Sequence, residues 1–230
     1  MKTIGLIGGM SWESTVTYYQ IMNEEVKKQM GGFHSAKILL YSVDFAEIEE
    51  CLSKGDWEKS ERILSKAACS LETAGADFIV IGTNTLHKVT PQMQTKLHIP
   101  IIHIAEATAL KLREHHIQKV ALLGTIFTMT QEFYRDKLEE AGIEVLIPNT
   151  EDMELINHVI FKELCLGIIS DESKKKYSDI ISKLAEEGAE GVILGCTEIG
   201  LLIKQEDSSI PVFDTTQIHA TKAAELAMMV

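Results

Sequence analysis

Apolar residues along this chain fall into short unbroken runs, and longer stretches with helical spacing lie between them. Residues 2–7, 36–43, 77–81 and 99–102 read as strands in the first part, and 119–123, 144–147, 192–194 and 212–213 in the second. Runs with almost no polar residue inside are what a strand covered on both faces requires. Helical periodicity predicts helices running from Ser11 or Ser14 towards Met30, then over 57–74, 105–116, 128–141, 151–164, 171–187 and 217–229. Gly75, Gly142, Gly167 and Gly188 stand where such helices stop, as C-terminal glycines do. Residues 45–54 are polar and read as a mobile segment, a candidate lid or loop. Strands alternating with helices of ten or more residues predict an α/β fold built on parallel sheets.

The pattern repeats. Gly75-Ala76-Asp77-Phe78-Ile79-Val80-Ile81-Gly82-Thr83 and Gly188-Ala189-Glu190-Gly191-Val192-Ile193-Leu194-Gly195-Cys196 align without a gap, offset by 113 residues. Each is followed by an Ile-Pro pair and a short apolar run, at Ile99-Pro100 and at Ile210-Pro211. The opening Gly5-Leu6-Ile7-Gly8-Gly9 has a partner in Ala121-Leu122-Leu123-Gly124-Thr125. Three matches in the same order predict two pseudo-symmetric domains, each a parallel sheet flanked by helices. We place one over 1–103 plus 215–230 and the other over 104–214. Under this symmetry Thr83 and Cys196 are equivalent positions.

With 230 residues, 45% of them hydrophobic, the chain is long enough for two cores. A net charge of −12 argues against nucleic-acid partners and anionic membrane surfaces. No basic leader with an apolar core opens the chain, and no apolar run approaches the ~18 residues of a spanning helix. Cys51, Cys69, Cys165 and Cys196 lie far apart, with no paired-cysteine spacing, so neither a disulfide framework nor a structural zinc site is expected. Histidines show no metal-ligand spacing either. A reducing, cytoplasmic setting fits, and there a free thiol can act as acid or base.

Cys196 is the candidate for that chemistry. It follows a buried-strand run and a turn-forming glycine, at the sheet edge where open α/β folds carry their sites. Thr197 and Glu198 after it read as the start of a helix, whose amides would lower the thiol pKa below ~8.5. Thr83, Asn84 and Thr85 form the corresponding hydroxyl and amide cluster, suited to capping a helix or holding a carboxylate. His87 follows as a packed residue or a base, and Thr125 and Thr128 occupy the matching turn of the second half. The opening glycines are neither a dinucleotide fingerprint nor a phosphate-binding loop.

With Gly8-Gly9-Met10-Ser11-Trp12-Glu13-Ser14, Thr83-Asn84-Thr85-Leu86-His87 and Gly195-Cys196-Thr197-Glu198 together, the chain resembles the aspartate/glutamate racemase family over its full length. The resemblance implies an active site in the cleft between two α/β domains, no cofactor, no metal, an amino-acid substrate and a homodimer. Where the family usually has a cysteine before Asn-Thr-x-His, this chain has Thr83; Cys196 matches the second catalytic cysteine. It is thereby similar to the Thr/Cys subgroup, specific for L-aspartate and L-glutamate. Carried over by motif, Thr83 and Cys196 are catalytic, and Met10, Asn84, Thr85, Thr197 and Glu198 contact substrate; Thr128, in the matching turn of the second half, joins them as a hydrogen-bonding candidate. A broad-specificity racemase, a one-thiol decarboxylase or isomerase of the same superfold, and an amino-acid-binding protein without catalysis are the competing readings.

Overall fold

The computed structural model describes residues 1–229. The chain divides into two compact units, one made of Met1–Ile104 with the segment from His219 onward, the other of Ala105–Ile218.

In the first unit the strands are β1 (Ile4–Gly8), β2 (Ile38–Ser42), β3 (Phe78–Ile81) and β4 (Ile101–Ile102). They form one parallel sheet in the order β2-β1-β3-β4, with Ile7 opposite both Tyr41 and Ile81. Every residue of β1 and β3 is buried, which accounts for their unbroken apolar runs. Helix α1 (Trp12–Met30) starts at Ser11, whose hydroxyl accepts from the Ser14 amide. It buries Tyr18, Ile21, Met22 and Val26, spaced by three and four residues, against Ile4, Leu6, Phe78 and Val80. Ala220, Ala223, Ala224 and Ala227 of the terminal helix complete this core.

Residues 45–54, expected as a polar loop or lid, are helical instead. Helix α2 (Phe45–Lys54) is capped by Asp44, whose carboxylate accepts from the Ala46 amide, and stops at Gly55 with φ 66°. Only Ile48, Cys51 and Leu52 are buried, a stripe too narrow to stand out among the acidic residues around it. Helix α3 (Trp57–Thr73) follows with Asp56 as its cap, and a short 3-10 turn (Thr85–Val89) and α4 (Thr90–Gln94) lead to β4.

In the second unit, reached through α5 (Ile104–Glu114), β5 (Lys119–Gly124), β6 (Glu144–Leu146), β7 (Gly191–Gly195) and β8 (Val212–Asp214) form a second parallel sheet. Its order, β6-β5-β7-β8, is the order of the first sheet. The helix expected over 128–141 is two helices, α6 (Ile126–Thr130) and α7 (Glu132–Glu139). Gln131 separates them with extended backbone, φ −95° and ψ 150°. Helices α8 (Thr150–Lys162) and α9 (Asp171–Glu186), capped by Asn149 and Ser170, cover the sheet with Ile156, Val159, Ile160, Tyr177, Ile180, Ile181 and Leu184. A four-residue helix, α10 (Ile199–Leu202), follows the tip of β7, and α11 (Thr215–Met228) closes the chain. Among the described residues no helix is long and apolar enough to cross a membrane.

Candidate active site

In the second unit the chemistry gathers at the carboxyl ends of β5 and β7. Gly124 and Gly195 pair at the last register position of the two strands. A Cβ added at Gly195 would lie 2.8 Å from the Leu123 carbonyl oxygen and 3.2 Å from Thr128 Cγ2. This close approach requires glycine and delivers the next residue, Cys196, to the strand tip. Thr125 follows Gly124 and caps α6: its Oγ1 accepts from the Thr128 amide and lies 3.2 Å from Thr128 Oγ1. Thr128 itself is fully buried.

The Cys196 thiol is 7% exposed and donates to Glu198 Oε2 at 3.0 Å. The same oxygen accepts from the Thr197 hydroxyl at 2.8 Å, and Glu198 is 3% exposed. Sulfur, hydroxyl and carboxylate therefore form one buried hydrogen-bonded group. Burial, then the negative charge of Glu198, pushes the thiol well above its ordinary range. This reverses the expectation that helix amides would lower it. Helix α10 is too short to offer a developed dipole, and the Glu198 amide is the one backbone donor acting in the lowering direction. The resting group is a thiol with a carboxylate against it, a proton donor whose own acceptor is built in.

In the first unit Met10 follows β1 and Thr83 follows β3, neighbouring strands of the sheet. Met10, Asn84 and Thr85 are buried and Thr83 is partly so. The 3-10 turn beginning at Thr85 receives no capping bond from the Asn84 side chain, so simple capping does not explain this cluster. The Thr83 amide bonds to the Ile81 carbonyl at 2.8 Å, and the Thr83 carbonyl lies 2.7 Å from His87 Nδ1. His87 is buried, its ring 4.6 Å from that of His103 and 5.6 Å from that of His219. His219 lies between the Tyr18 hydroxyl, 2.9 Å from Nδ1, and the Ile102 carbonyl, 2.9 Å from Nε2. Burial depresses both rings, His87 to about 4 and His219 to about 3, so both are neutral near pH 7.

The structure thus groups Thr128, Cys196, Thr197 and Glu198 in one unit and Met10, Thr83, Asn84 and Thr85 in the other. Asp214 is a cap, accepting from the Thr216 and Gln217 amides. Two features escaped sequence reasoning. The Cys196–Glu198 bond had a signal, the two-residue spacing at a strand end. The cluster of Tyr18, His87, His103 and His219 had none, because its members come from four distant points of the chain. Among the described residues no group of histidine, cysteine and carboxylate is arranged to hold a metal ion.

Residues 7–223 match the model of the Asp/Glu/Hydantoin racemase family. A broad specificity amino-acid racemase of Bacillus subtilis (strain 168), RacX, is 25% identical over 220 residues, covering 93% of this chain and 92% of its own. A crystal structure of a candidate Asp/Glu racemase from Yersinia pestis is 53% identical, with a TM-score of 0.92 and full coverage of both chains. An aspartate racemase homologue from Pyrococcus horikoshii OT3 is 40% identical, with a TM-score of 0.83 and again full coverage of both. Two sheets of matching strand order, with Thr83 and Cys196 just beyond the third strand of each, and these likenesses along the whole length converge. The chain belongs to the Asp/Glu/Hydantoin racemase family and shares its amino-acid racemase function.

Proposed function

We propose that the protein racemises acidic amino acids, L-aspartate and L-glutamate first, by removing and returning the α-proton without a cofactor. Cys196 serves one face of Cα and Thr83 the other. The observation that carries this reading is the buried thiol hydrogen-bonded to Glu198 at 3.0 Å. A thiol raised by burial needs a local acceptor before it can work as a base, and Glu198 is that acceptor.

In one direction the Cys196 proton passes to Glu198, and the thiolate takes the α-proton. The electron pair left on Cα delocalises into the substrate α-carboxylate. A proton then arrives on the opposite face from the Thr83 hydroxyl, directly or through a water. Glu198 and Thr83 regain their resting states by exchange with solvent, so protons balance over the cycle. Asn84, Thr85 and Thr197 stabilise the developing charge with amide and hydroxyl donors, and Met10 and Thr128 shape the pocket. A threonine hydroxyl is a far weaker acid than a thiol, so the two faces work at unequal rates.

Substitution tests the assignment. Cys196→Ala abolishes racemisation followed by chiral chromatography, and Thr83→Cys accelerates the slower half-reaction. Persistence of full activity in Cys196→Ala refutes the reading. The likeness to a broad specificity racemase over nearly the whole chain favours a second reading, in which neutral amino acids are also substrates. A panel of amino acids of both hands decides between them, and carbon dioxide release from a disubstituted malonate would point to a decarboxylase instead. We carry a homodimer with the proposal, checked by sedimentation.

A further inference from the structure

We propose that His87 is a positioning residue for the Thr83 hydroxyl: its ring, seated among His103 and His219, donates Nδ1–H to the Thr83 carbonyl and fixes the backbone from which that hydroxyl projects. The inference rests on the reading of Thr83 as a proton-transfer group.

A carbonyl oxygen only accepts, so a separation of 2.7 Å requires the proton on Nδ1. The backbone amide of His87 is spent on the Asn84 carbonyl at 3.1 Å, one residue short of Thr83. The ring therefore supplies the donor at the point where β3 gives way to the 3-10 turn. Nε2 then carries a bare lone pair, buried and with no hydrogen-bond partner among the described residues. His219 Nε2 donates to the neighbouring Ile102 carbonyl at 2.9 Å. With Tyr18 holding the other nitrogen of His219 at 2.9 Å, the wall against His87 is itself tied down. A flip of the ring would put Cδ2–H in place of Nδ1–H against the Thr83 oxygen and lose this hydrogen bond. A buried histidine that stays neutral near pH 7 is thus committed to geometry. Loss of its donor frees the Thr83 peptide to rotate, and the hydroxyl moves with it.

Isosteric replacements separate the two ring nitrogens. An asparagine amide reproduces Nδ1, and a glutamine amide reproduces Nε2. Deuterium uptake at Cα is measured from each enantiomer separately, with Thr83→Ala alongside. The expectation is that His87→Gln slows exchange on the Thr83 face by about 10-fold or more, as misplacement of a reacting group does, and leaves the Cys196 face within about 3-fold. His87→Asn stays within about 3-fold on both faces. Equal losses on both faces in His87→Gln, or losses in His87→Asn as large as in His87→Gln, overturn the positioning role. An unchanged Thr83→Ala overturns both this inference and the role of Thr83. Should the variants fail to fold, nitrogen NMR of the unsubstituted enzyme reads the tautomer directly: a neutral ring protonated on Nδ1 is expected, and protonation on Nε2 overturns the proposal.

Discussion

Replacing Glu198 by glutamine removes one charge and keeps the shape of the buried group around Cys196. In the native protein the thiol donates to Glu198 Oε2 at 3.0 Å, and the Thr197 hydroxyl holds the same oxygen. A thiolate and a carboxylate about 4 Å apart repel by about 4 kcal/mol at an effective dielectric constant of about 20. Relaxation and residual water reduce this, and each ~1.4 kcal/mol that remains is a factor of ten in the thiolate population. Burial is the larger cause of the raised thiol and is unchanged by the substitution, so the thiol stays above its ordinary range while moving down. Because the thiolate is the species that alkylates, Glu198→Gln is expected to react with iodoacetamide at least about 10-fold faster near neutral pH. Cys51, Cys69 and Cys165 contribute a background, which the same measurement on Cys196→Ala subtracts. Unchanged or slower alkylation at Cys196 would refute the argument that the Glu198 charge raises the resting thiol.

Other outcomes follow from the same geometry. Gly195→Ala puts a methyl against the Leu123 carbonyl oxygen and Thr128, and is expected to cost about 1–3 kcal/mol of stability in urea unfolding, where an unchanged midpoint refutes the contact. His87 and His219 are depressed from 6.5 to about 4 and about 3, so the unfolded chain binds protons first as pH falls. Their contribution is complete above pH 6.5 and is lost on acidification through the folded values, each ring adding a slope of up to about 1.4 kcal/mol per pH unit. Urea titrations between pH 6.5 and 5 should show this slope and its reduction in His219→Gln; an equal slope in the variant contradicts it. Asp214, raised by burial, works with the opposite sign.

Much of the fold was legible because the central strands are buried on both faces, so Ile4, Leu6 and Ile7, and Val192, Ile193 and Leu194, left unbroken apolar runs. The two-fold repeat was legible for the same reason, since equivalent strands face equivalent demands. Helix α2 was not legible, because three buried residues in ten make a faint stripe and the cap at Asp44 reads equally as a turn. The break at Gln131 left no proline or glycine to mark it. At the site, the position of Cys196 followed from the glycine before it, but its ionisation did not. Burial and a carboxylate on the sulfur outweigh a four-residue helix, and only coordinates show which neighbours surround the thiol. The histidine cluster depends on contacts between residues 18, 87, 103 and 219, which no local pattern announces.

The central claim is that a thiol and a threonine hydroxyl exchange the same α-proton from opposite faces with unequal facility. Proton NMR in deuterium oxide, started separately from L- and D-aspartate, measures this most directly. The account predicts α-deuterium uptake from both enantiomers, markedly faster from one, with Cys196→Ala silent on both. Equal uptake rates from the two enantiomers, or uptake that survives in Cys196→Ala, would contradict it.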